Sequence, residues 1–391
     1  MSLDRMIKRF DRERQDDLCI VAHRGLAYQR DMSQAIDYGD AYFNHYASLE
    51  GSEIANKLNA GRCAMLARHA PAESTVLDIG AGSGTFVRTA RAWGYGASGF
   101  DIIPKTVAAL RAMDAYADNP NGFDVVTFWD SLEHIREPET VLKRINKGAV
   151  VLVAIPIFDD LAALRESKHF KPGEHLYYFT RDGFVDWMAL YGFRLLEESD
   201  HEINAGREAI GAFAFKRDLP DYDDHIRAYQ EMHGARFYGS SATELHLESA
   251  AKVVRQLQPA TILDWGCGRS DIASHFWRDG ERRIERHDPA IHQYRRVPPG
   301  RFDLVLCCDV MEHVPMAEVD RVLMSIKEKG DRVFFTISTK LARAKLPDGR
   351  NAHCTILTRN EWVRWIGDYF GKVEVMPSKW EHELVLLAGP K

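Results

Sequence analysis

One short pattern occurs twice in the chain and limits what it can fold into. The copies are VLDIGAGSGTF (residues 76–86) and ILDWGCGRSDI (residues 262–272), and in each an apolar run ends in an acid, Asp78 or Asp264. The glycines that follow are Gly80, Gly82, Gly84, Gly266 and Gly268. An apolar run followed by glycines predicts a buried strand, a tight turn and a helix whose first N–H groups can face a ligand. Two copies predict two α/β units of the same type.

The spacing of the glycines excludes a dinucleotide-binding loop. Such a loop needs G-x-G-x-x-G, and the third glycine position holds Thr85 in the first copy and Asp271 in the second. Both copies instead fit D-x-G-x-G followed by a second acid, Asp101 or Asp288, at the end of the next short strand. A carboxylate there can accept hydrogen bonds from both hydroxyls of a ribose. The pattern therefore predicts a ligand that carries a ribose and need not carry a pyrophosphate.

A third motif follows each turn. The segments FDVVTFWDSLEHI (residues 123–135) and FDLVLCCDVMEHV (residues 302–314) have the pattern of a buried strand that ends in Asp-x-x-Glu-His. The polar residues of this motif are Asp130, Glu133 and His134 in the first copy and Asp309, Glu312 and His313 in the second. With the three motifs together, each half of the chain resembles the class I S-adenosylmethionine-dependent methyltransferases.

This resemblance implies a fold, a cofactor and a set of binding residues. The fold is α/β, with two tandem Rossmann-like doubly wound domains whose mostly parallel sheets are closed by an antiparallel hairpin, and the cofactor is S-adenosylmethionine. The residues assigned to the cofactor are Asp78, Gly80, Gly82, Gly84, Asp101, Asp130, Asp264, Gly266, Gly268, Asp288 and Asp309.

The domain boundary is expected in the charged, proline-containing segment 216–225, which gives a first domain at 1–218 and a second at 219–391. An amphipathic helix is expected within residues 1–17. Tyr42, His45 and Tyr46 are candidate lid residues, and a simple packing helix is the alternative for their segment. The second domain is expected to be shortened, because the segment between Asp288 and Phe302 contains three prolines and is too short for a full helix and strand.

The repeat extends beyond the cofactor motifs. Residues 174–193 align without a gap with residues 352–371, which places His175 on His353. An internal duplication explains this more simply than two unrelated domains.

Composition narrows the class of acceptor. The net charge of −6 argues against a surface built to hold nucleic acid phosphates, so we expect a small-molecule acceptor, with nucleic acid less favoured. The six cysteines include no C-x-x-C pair and are typical of reduced cytosolic thiols. No apolar run approaches the roughly 20 residues needed to span a bilayer. We therefore expect a cytoplasmic protein without membrane contact, and a homodimer is an open alternative.

The candidate catalytic residues are Glu133 and the four histidines His134, His175, His313 and His353. An oxygen or nitrogen acceptor must lose a proton during methyl transfer, and histidine is the usual base near neutral pH. We favour the two loop histidines as bases, because the loop after the fifth strand usually faces the acceptor. In the alternative interpretation the Glu-His pairs only cap a helix and orient the loop.

Asp130, Glu133 and His134 are also similar to the acid-x-x-E-H pattern that is associated with a divalent cation in ubiquinone-pathway O-methyltransferases. A site drawn from one loop offers few ligands, so no metal is expected.

The leading hypothesis is methyl transfer from S-adenosylmethionine to an oxygen or nitrogen of a small polar acceptor, which would be sugar-, nucleotide- or metabolite-like. One alternative is a methyltransferase for nucleic acid bases. Another is that one half is a degenerate copy that only binds the acceptor or holds a dimer together. The second turn has Arg269 and Ser270 where the first has Ser83 and Gly84, so we expect the first half to bind cofactor more tightly.

Overall fold

The computed structural model describes residues 13–15, 17–30, 39, 43–44, 47–234, 241–277 and 281–390. The chain divides into two compact units, residues 2–219 (the N-terminal unit) and 220–391 (the C-terminal unit). Most of the helix expected within residues 1–17, and the lid candidates Tyr42, His45 and Tyr46, lie outside the described residues. The described residues Glu13–Arg14 form a strand and not a helix.

The N-terminal unit alternates strands and helices along the chain. Its strands are β1 Glu13–Arg14, β2 Leu18–Val21, β3 Leu26–Gln29, β4 Thr75–Ile79, β5 Gly96–Phe100, β6 Val125–Trp129, β7 Val150–Pro156, β8 Tyr177–Phe179, β9 Arg194–Ser199 and β10 Ile210–Lys216. Its helices are α1 Glu53–His69, α2 Thr85–Ala92, α3 Pro104–Ala112, α4 Pro138–Leu142, α5 Arg181–Ala189 and α6 His201–Asn204.

The main sheet of this unit has the order β5-β4-β6-β7-β10-β9. Strands β5, β4, β6 and β7 are parallel, and β10 is antiparallel to both β7 and β9. Every residue of β6 and β7 is buried, as in parallel strands covered by helices on both faces. The predicted doubly wound sheet with a closing antiparallel hairpin is confirmed.

A second, antiparallel sheet with the order β1-β2-β3-β8 was not expected from the sequence. The side-chain amide of Gln29 donates to the hydroxyl of Tyr178 at 2.8 Å across this sheet. Strand β8 begins two residues after His175, so the small sheet fixes the end of the loop that carries this histidine.

The C-terminal unit repeats the main sheet. Its strands are β11 Thr261–Trp265, β12 Arg283–His287, β13 Leu304–Cys308, β14 Val333–Ser338, β15 Lys372–Met376 and β16 Glu383–Gly389. Its helices are α7 Tyr222–Gly234, α8 Ser241–Leu257, α9 Val319–Lys329 and α10 Arg359–Phe370. The order β12-β11-β13-β14-β16-β15 matches that of the N-terminal unit position by position.

The C-terminal unit departs from expectation after its glycine turn. The predicted helix is only a short 3₁₀ helix, Ile272–Phe276. In the N-terminal unit, Gly84 caps α2 with a φ of +75°, a conformation that favours glycine. The matching residue is Ser270, whose hydroxyl instead accepts from the Ile272 N–H. Between β12 and β13 the structure has only the 3₁₀ turn His292–Tyr294, in keeping with the predicted shortening.

The expected linker is also partly helical, because α7 begins at Tyr222, inside the segment 216–225.

Candidate functional site

The glycine turns lie at the carboxyl ends of β4 and β11, and each is tied to the second acid of its motif. In the N-terminal unit, the two carboxylate oxygens of Asp101 accept from the N–H groups of Gly82 and Ile103 at 2.8 and 2.9 Å. In the C-terminal unit, those of Asp288 accept from Gly268 and Ala290, both at 2.8 Å. A carboxylate oxygen has a second lone pair, so each acid can still accept from a ligand hydroxyl.

The first glycine of each turn cannot be replaced without a clash. Gly80 has a φ of +81°, and a Cβ there would lie 2.4 Å from the Cβ of Ser131. Gly266 has a φ of +70°, and its Cβ would lie 2.4 Å from a methyl carbon of Val310. The two turns therefore have the same local requirement.

The first acids of the motifs, Asp78 and Asp264, are both 2% exposed. Burial raises the pKa of each carboxyl to about 7. The hydroxyl of Thr127 donates to Asp78 at 2.7 Å and partly offsets this rise. On β13 the residue opposite Asp264 is Leu306, so the second copy lacks the threonine donor. Arg286 on β12 partly offsets the rise in the pKa of Asp264, and among the described residues Oδ2 of Asp264 has no hydrogen-bond partner.

The acids that directly follow β6 and β13 have a strained backbone conformation, and their carboxylates are paired with other side chains. Asp130 and Asp309 have φ values of +54° and +55°, which are unusual outside glycine. Asp130 forms a two-pronged ion pair with Arg207, at 2.7 and 2.8 Å. Asp309 lies 2.8 Å from Nε2 of His246, whose Nδ1 lies 3.2 Å from a carboxylate oxygen of Glu383.

Sequence reasoning missed these partners. Arg62 also approaches Asp130, at 3.4 Å, and Glu202 binds both Arg62 and Arg207. These residues come from elements far from the motifs, and no local pattern marks them. The assignment of Asp130 and Asp309 to the cofactor stays a prediction.

The Glu-His pairs and the loop histidines meet in space. Glu133, His134 and His175 form one cluster, and one potential metal-ligating atom from each lies within 4.8 Å of the others. Glu312, His313 and His353 form the matching cluster in the C-terminal unit. The imidazole rings of the two N-terminal histidines meet edge to face with centroids 4.8 Å apart, and those of the C-terminal pair are 4.7 Å apart.

Backbone carbonyls orient all four rings. Nδ1 of His134 lies 2.9 Å from the carbonyl oxygen of Glu174, and Nδ1 of His175 lies 2.9 Å from that of His169. In the C-terminal unit, Nδ1 of His313 lies 3.0 Å from the carbonyl of Ala352, and Nδ1 of His353 lies 2.6 Å from that of Lys340. A carbonyl oxygen can only accept, so each Nδ1 donates its proton and Nε2 carries the lone pair.

Burial sets the charges of the clusters. It lowers the pKa of His175 to about 3 and that of His313 to about 4, with a smaller contribution from the neighbouring histidine in each case. Burial, together with the nearby strand-end acid, raises the pKa of Glu133 and Glu312 well above the usual range. The imidazoles of His175 and His313 are therefore neutral at pH 7.

A cavity of about 1080 Å³ opens at the carboxyl edge of the C-terminal sheet. Its wall includes the turn residues Gly266 and Gly268, the second acid Asp288, and Glu312 of the C-terminal cluster. Helix α7 covers one side, where Tyr222, His225, Ile226, Tyr229 and His233 line the cavity. The segment before the first strand of this unit thus has the covering position that the sequence suggested for the equivalent N-terminal segment.

Comparison with known protein families found a match in one part of the chain. Residues 51–198 match a family model described as a methyltransferase domain. This segment is similar to methyltransferase domains. The match lies within the N-terminal unit.

Two curated relatives have the same name, ubiquinone biosynthesis O-methyltransferase. The protein from Serratia proteamaculans (strain 568) is 22% identical over 143 residues, which are 27% of this chain and 59% of that protein. The protein from Leptothrix cholodnii is 22% identical over 162 residues, 32% of this chain and 69% of the relative. The chain thus spans less than two thirds of the first of these relatives.

Among solved structures, the magnesium protoporphyrin IX methyltransferase from Synechocystis PCC 6803 is similar at 14% identity and a TM-score of 0.36. That similarity covers 46% of this chain and 96% of the other. In the part of the chain that the structure describes, no helix is long and apolar enough to cross a membrane.

Proposed function

We propose that both units bind S-adenosylmethionine and that the chain transfers the methyl group to an oxygen or nitrogen of a small polar acceptor. The observation that carries this proposal is the repeated turn, in which Asp101 and Asp288 hold the glycine N–H groups at the same 2.8 Å distance. The relatives are named as O-methyltransferases, which favours oxygen as the acceptor atom.

The C-terminal cavity supports an acceptor that carries a negative charge. Three exposed basic residues line the cavity: Arg295, Lys340 and Arg343. Four acids line the same cavity, namely Asp288, Asp309, Glu312 and Glu383. Asp309 is half-buried and paired with His246, and the other three are buried. Positive groups at the mouth favour an anionic ligand. Trp380, at 45% exposure, adds an aromatic face there.

The general base remains a proposal, and the structure supports one of the two loop histidines better than the other. His175 is 4% exposed and its pKa of about 3 makes it a weak base at neutral pH. His353 is half-buried and lines the cavity, so it can reach an acceptor there. His353 is therefore the better candidate for the base of the C-terminal unit, provided that its Nε2 is available to accept a proton.

Titration of S-adenosylmethionine into the full chain tests the binding proposal. We expect two sites, the tighter one in the N-terminal unit because its turn keeps the third glycine. Asp101→Ala and Asp288→Ala should each weaken one site by about 1.5 to 3 kcal/mol, the scale of hydrogen bonds to a charged group. Asp182→Ala, at an exposed acid that pairs with Arg181, is the matched control and should leave both sites unchanged.

The same titration distinguishes this proposal from the alternative hypothesis that the C-terminal unit is a degenerate copy. The missing hydroxyl partner of Asp264 and the short 3₁₀ helix after its turn are the observations that favour that alternative. A single binding site that Asp288→Ala leaves unchanged would establish it. Wild-type affinity at both sites in Asp101→Ala would contradict the assignment of the N-terminal turn.

A further inference from the structure

The Glu-His-His clusters contain buried carboxylate oxygens without hydrogen-bond donors. Glu133 is 1% exposed, and among the described residues neither of its carboxylate oxygens has a hydrogen-bond partner. Glu312 is fully buried; one oxygen accepts from the Ser338 N–H at 2.8 Å and the other has no partner within the described chain. A buried carboxylate left in this state is costly unless a cation or proton compensates it.

The histidines supply the complementary ligands. Because each Nδ1 donates to a backbone carbonyl, Nε2 carries the lone pair that can bind a metal. In His134, Nε2 lies 3.9 Å from Oε1 of Glu133. A histidine whose other nitrogen is held by a carbonyl has the usual environment of a metal ligand, since the carbonyl fixes both ring orientation and tautomer.

We propose that each unit holds one transition-metal ion, bound by Glu133, His134 and His175 in the N-terminal unit and by Glu312, His313 and His353 in the C-terminal unit. Bonds of about 2.0 to 2.2 Å to a shared ion place two ligand atoms about 3 to 4 Å apart, so a spread of 4.8 Å closes by small side-chain rotations. Two imidazoles and one carboxylate suit zinc, iron, cobalt or manganese, whereas magnesium and calcium prefer all-oxygen sites.

This ligand set differs from the one the sequence offered. Asp130, which the motif places beside Glu133 and His134, is ion-paired through both oxygens to Arg207 and is not among the residues that cluster with these two. The histidine that takes its place comes from a loop more than forty residues further along the chain. The C-terminal unit has the same arrangement. Asp309 pairs with His246, and His353 completes the cluster.

The metal content of the full chain tests the proposal without any acceptor. The protein is stripped with a chelator, exposed to Zn²⁺, dialysed and analysed for zinc. We expect about two zinc ions per chain, about one in His175→Ala or His353→Ala, and none in the double variant, because each variant loses one ligand of three. Co²⁺ in place of Zn²⁺ should give visible absorption bands that decrease in the same proportions.

Matched controls exclude a general effect of removing histidine or acid. His382→Ala, in the cavity wall but outside the cluster, and His69→Ala, which pairs with Glu197, should both keep two ions. Asp130→Asn should also keep two.

The proposal would be overturned if the wild-type chain held no zinc after dialysis. It would also be overturned if the double variant still held two zinc ions. Loss of one ion in Asp130→Asn would overturn the ligand set. Circular dichroism shows whether each variant is folded, and the wild-type stoichiometry needs no variant. These outcomes do not depend on cofactor binding, so the metal sites and the methyltransferase proposal fail separately. A bound metal occupies Nε2 of His353, so a chain that holds two ions must use another base in the C-terminal unit.

Discussion

At the scale of single residues, the buried acid Asp78 makes stability depend on pH. Its pKa is about 7 in the folded protein and near 3.8 ordinarily, so the folded state holds this proton more tightly than the unfolded chain does. The free energy of unfolding should therefore fall as pH rises from about 4 to 7, by an amount on the order of a few kcal/mol.

Asp78→Asn should remove this fall, because an amide keeps the hydrogen bond from Thr127 and carries no charge. Urea denaturation at several pH values measures the difference between variant and wild type, which should grow in favour of the variant up to pH 7. Asp124→Asn is the control with the opposite sign, since hydrogen bonds from Thr75 lower the pKa of Asp124. Parallel pH profiles for Asp78→Asn and wild type would contradict the prediction.

At the scale of secondary-structure elements, helix α7 is held over the C-terminal cluster by side chains that bind the backbone of two segments, one after β13 and one after β14. Nε2 of His225 lies 2.9 Å from the carbonyl of His313, and the hydroxyl of Tyr229 donates to the carbonyl of Ala352 at 2.5 Å. The same hydroxyl lies 2.8 Å from Nδ1 of His313. Helix α7 is therefore hydrogen-bonded to both segments that carry the histidines of the C-terminal cluster.

Tyr229→Phe removes the hydroxyl while keeping the ring. We expect a loss of about 1 to 2 kcal/mol in the free energy of unfolding of the C-terminal unit, because the carbonyl of Ala352 loses a buried donor. Amide hydrogen exchange should be faster in α7 (Tyr222–Gly234) and in the Met311–His313 turn, and unchanged in α1 of the N-terminal unit. Unchanged exchange in α7 would show that the hydroxyl does not hold the helix.

At the scale of the whole molecule, the repeated sheets predict that the cofactor stabilises the chain at two places. A ligand that binds only the folded state at 100 times its dissociation constant adds about 2.7 kcal/mol per site. Saturating S-adenosylmethionine should raise the midpoint of thermal unfolding of the wild type. Asp101→Ala or Asp288→Ala should lose part of this rise, and the double variant nearly all of it. An unchanged rise in the double variant would mean that the cofactor binds elsewhere.

The sequence by itself determined the features that depend on neighbours in the chain. Apolar runs followed by Gly80 or Gly266 specify a strand and a turn, because the required φ and the close approach of the next strand leave room only for glycine. The acids Asp101 and Asp288 follow short strands at a fixed spacing, so their place beside the turn could be predicted. The mostly parallel sheet with a closing antiparallel hairpin followed from the resemblance and is confirmed.

Only the tertiary structure decided which side chains meet at the carboxyl edge of each sheet. Arg207 pairs with Asp130, and His246 pairs with Asp309, across separations of 77 and 63 residues that no local periodicity records. The small sheet and the carbonyl of His169 bring His175 to Glu133. Such contacts depend on how distant elements pack, and packing is set by the whole core. The sequence could therefore name the histidines but not the cluster they form.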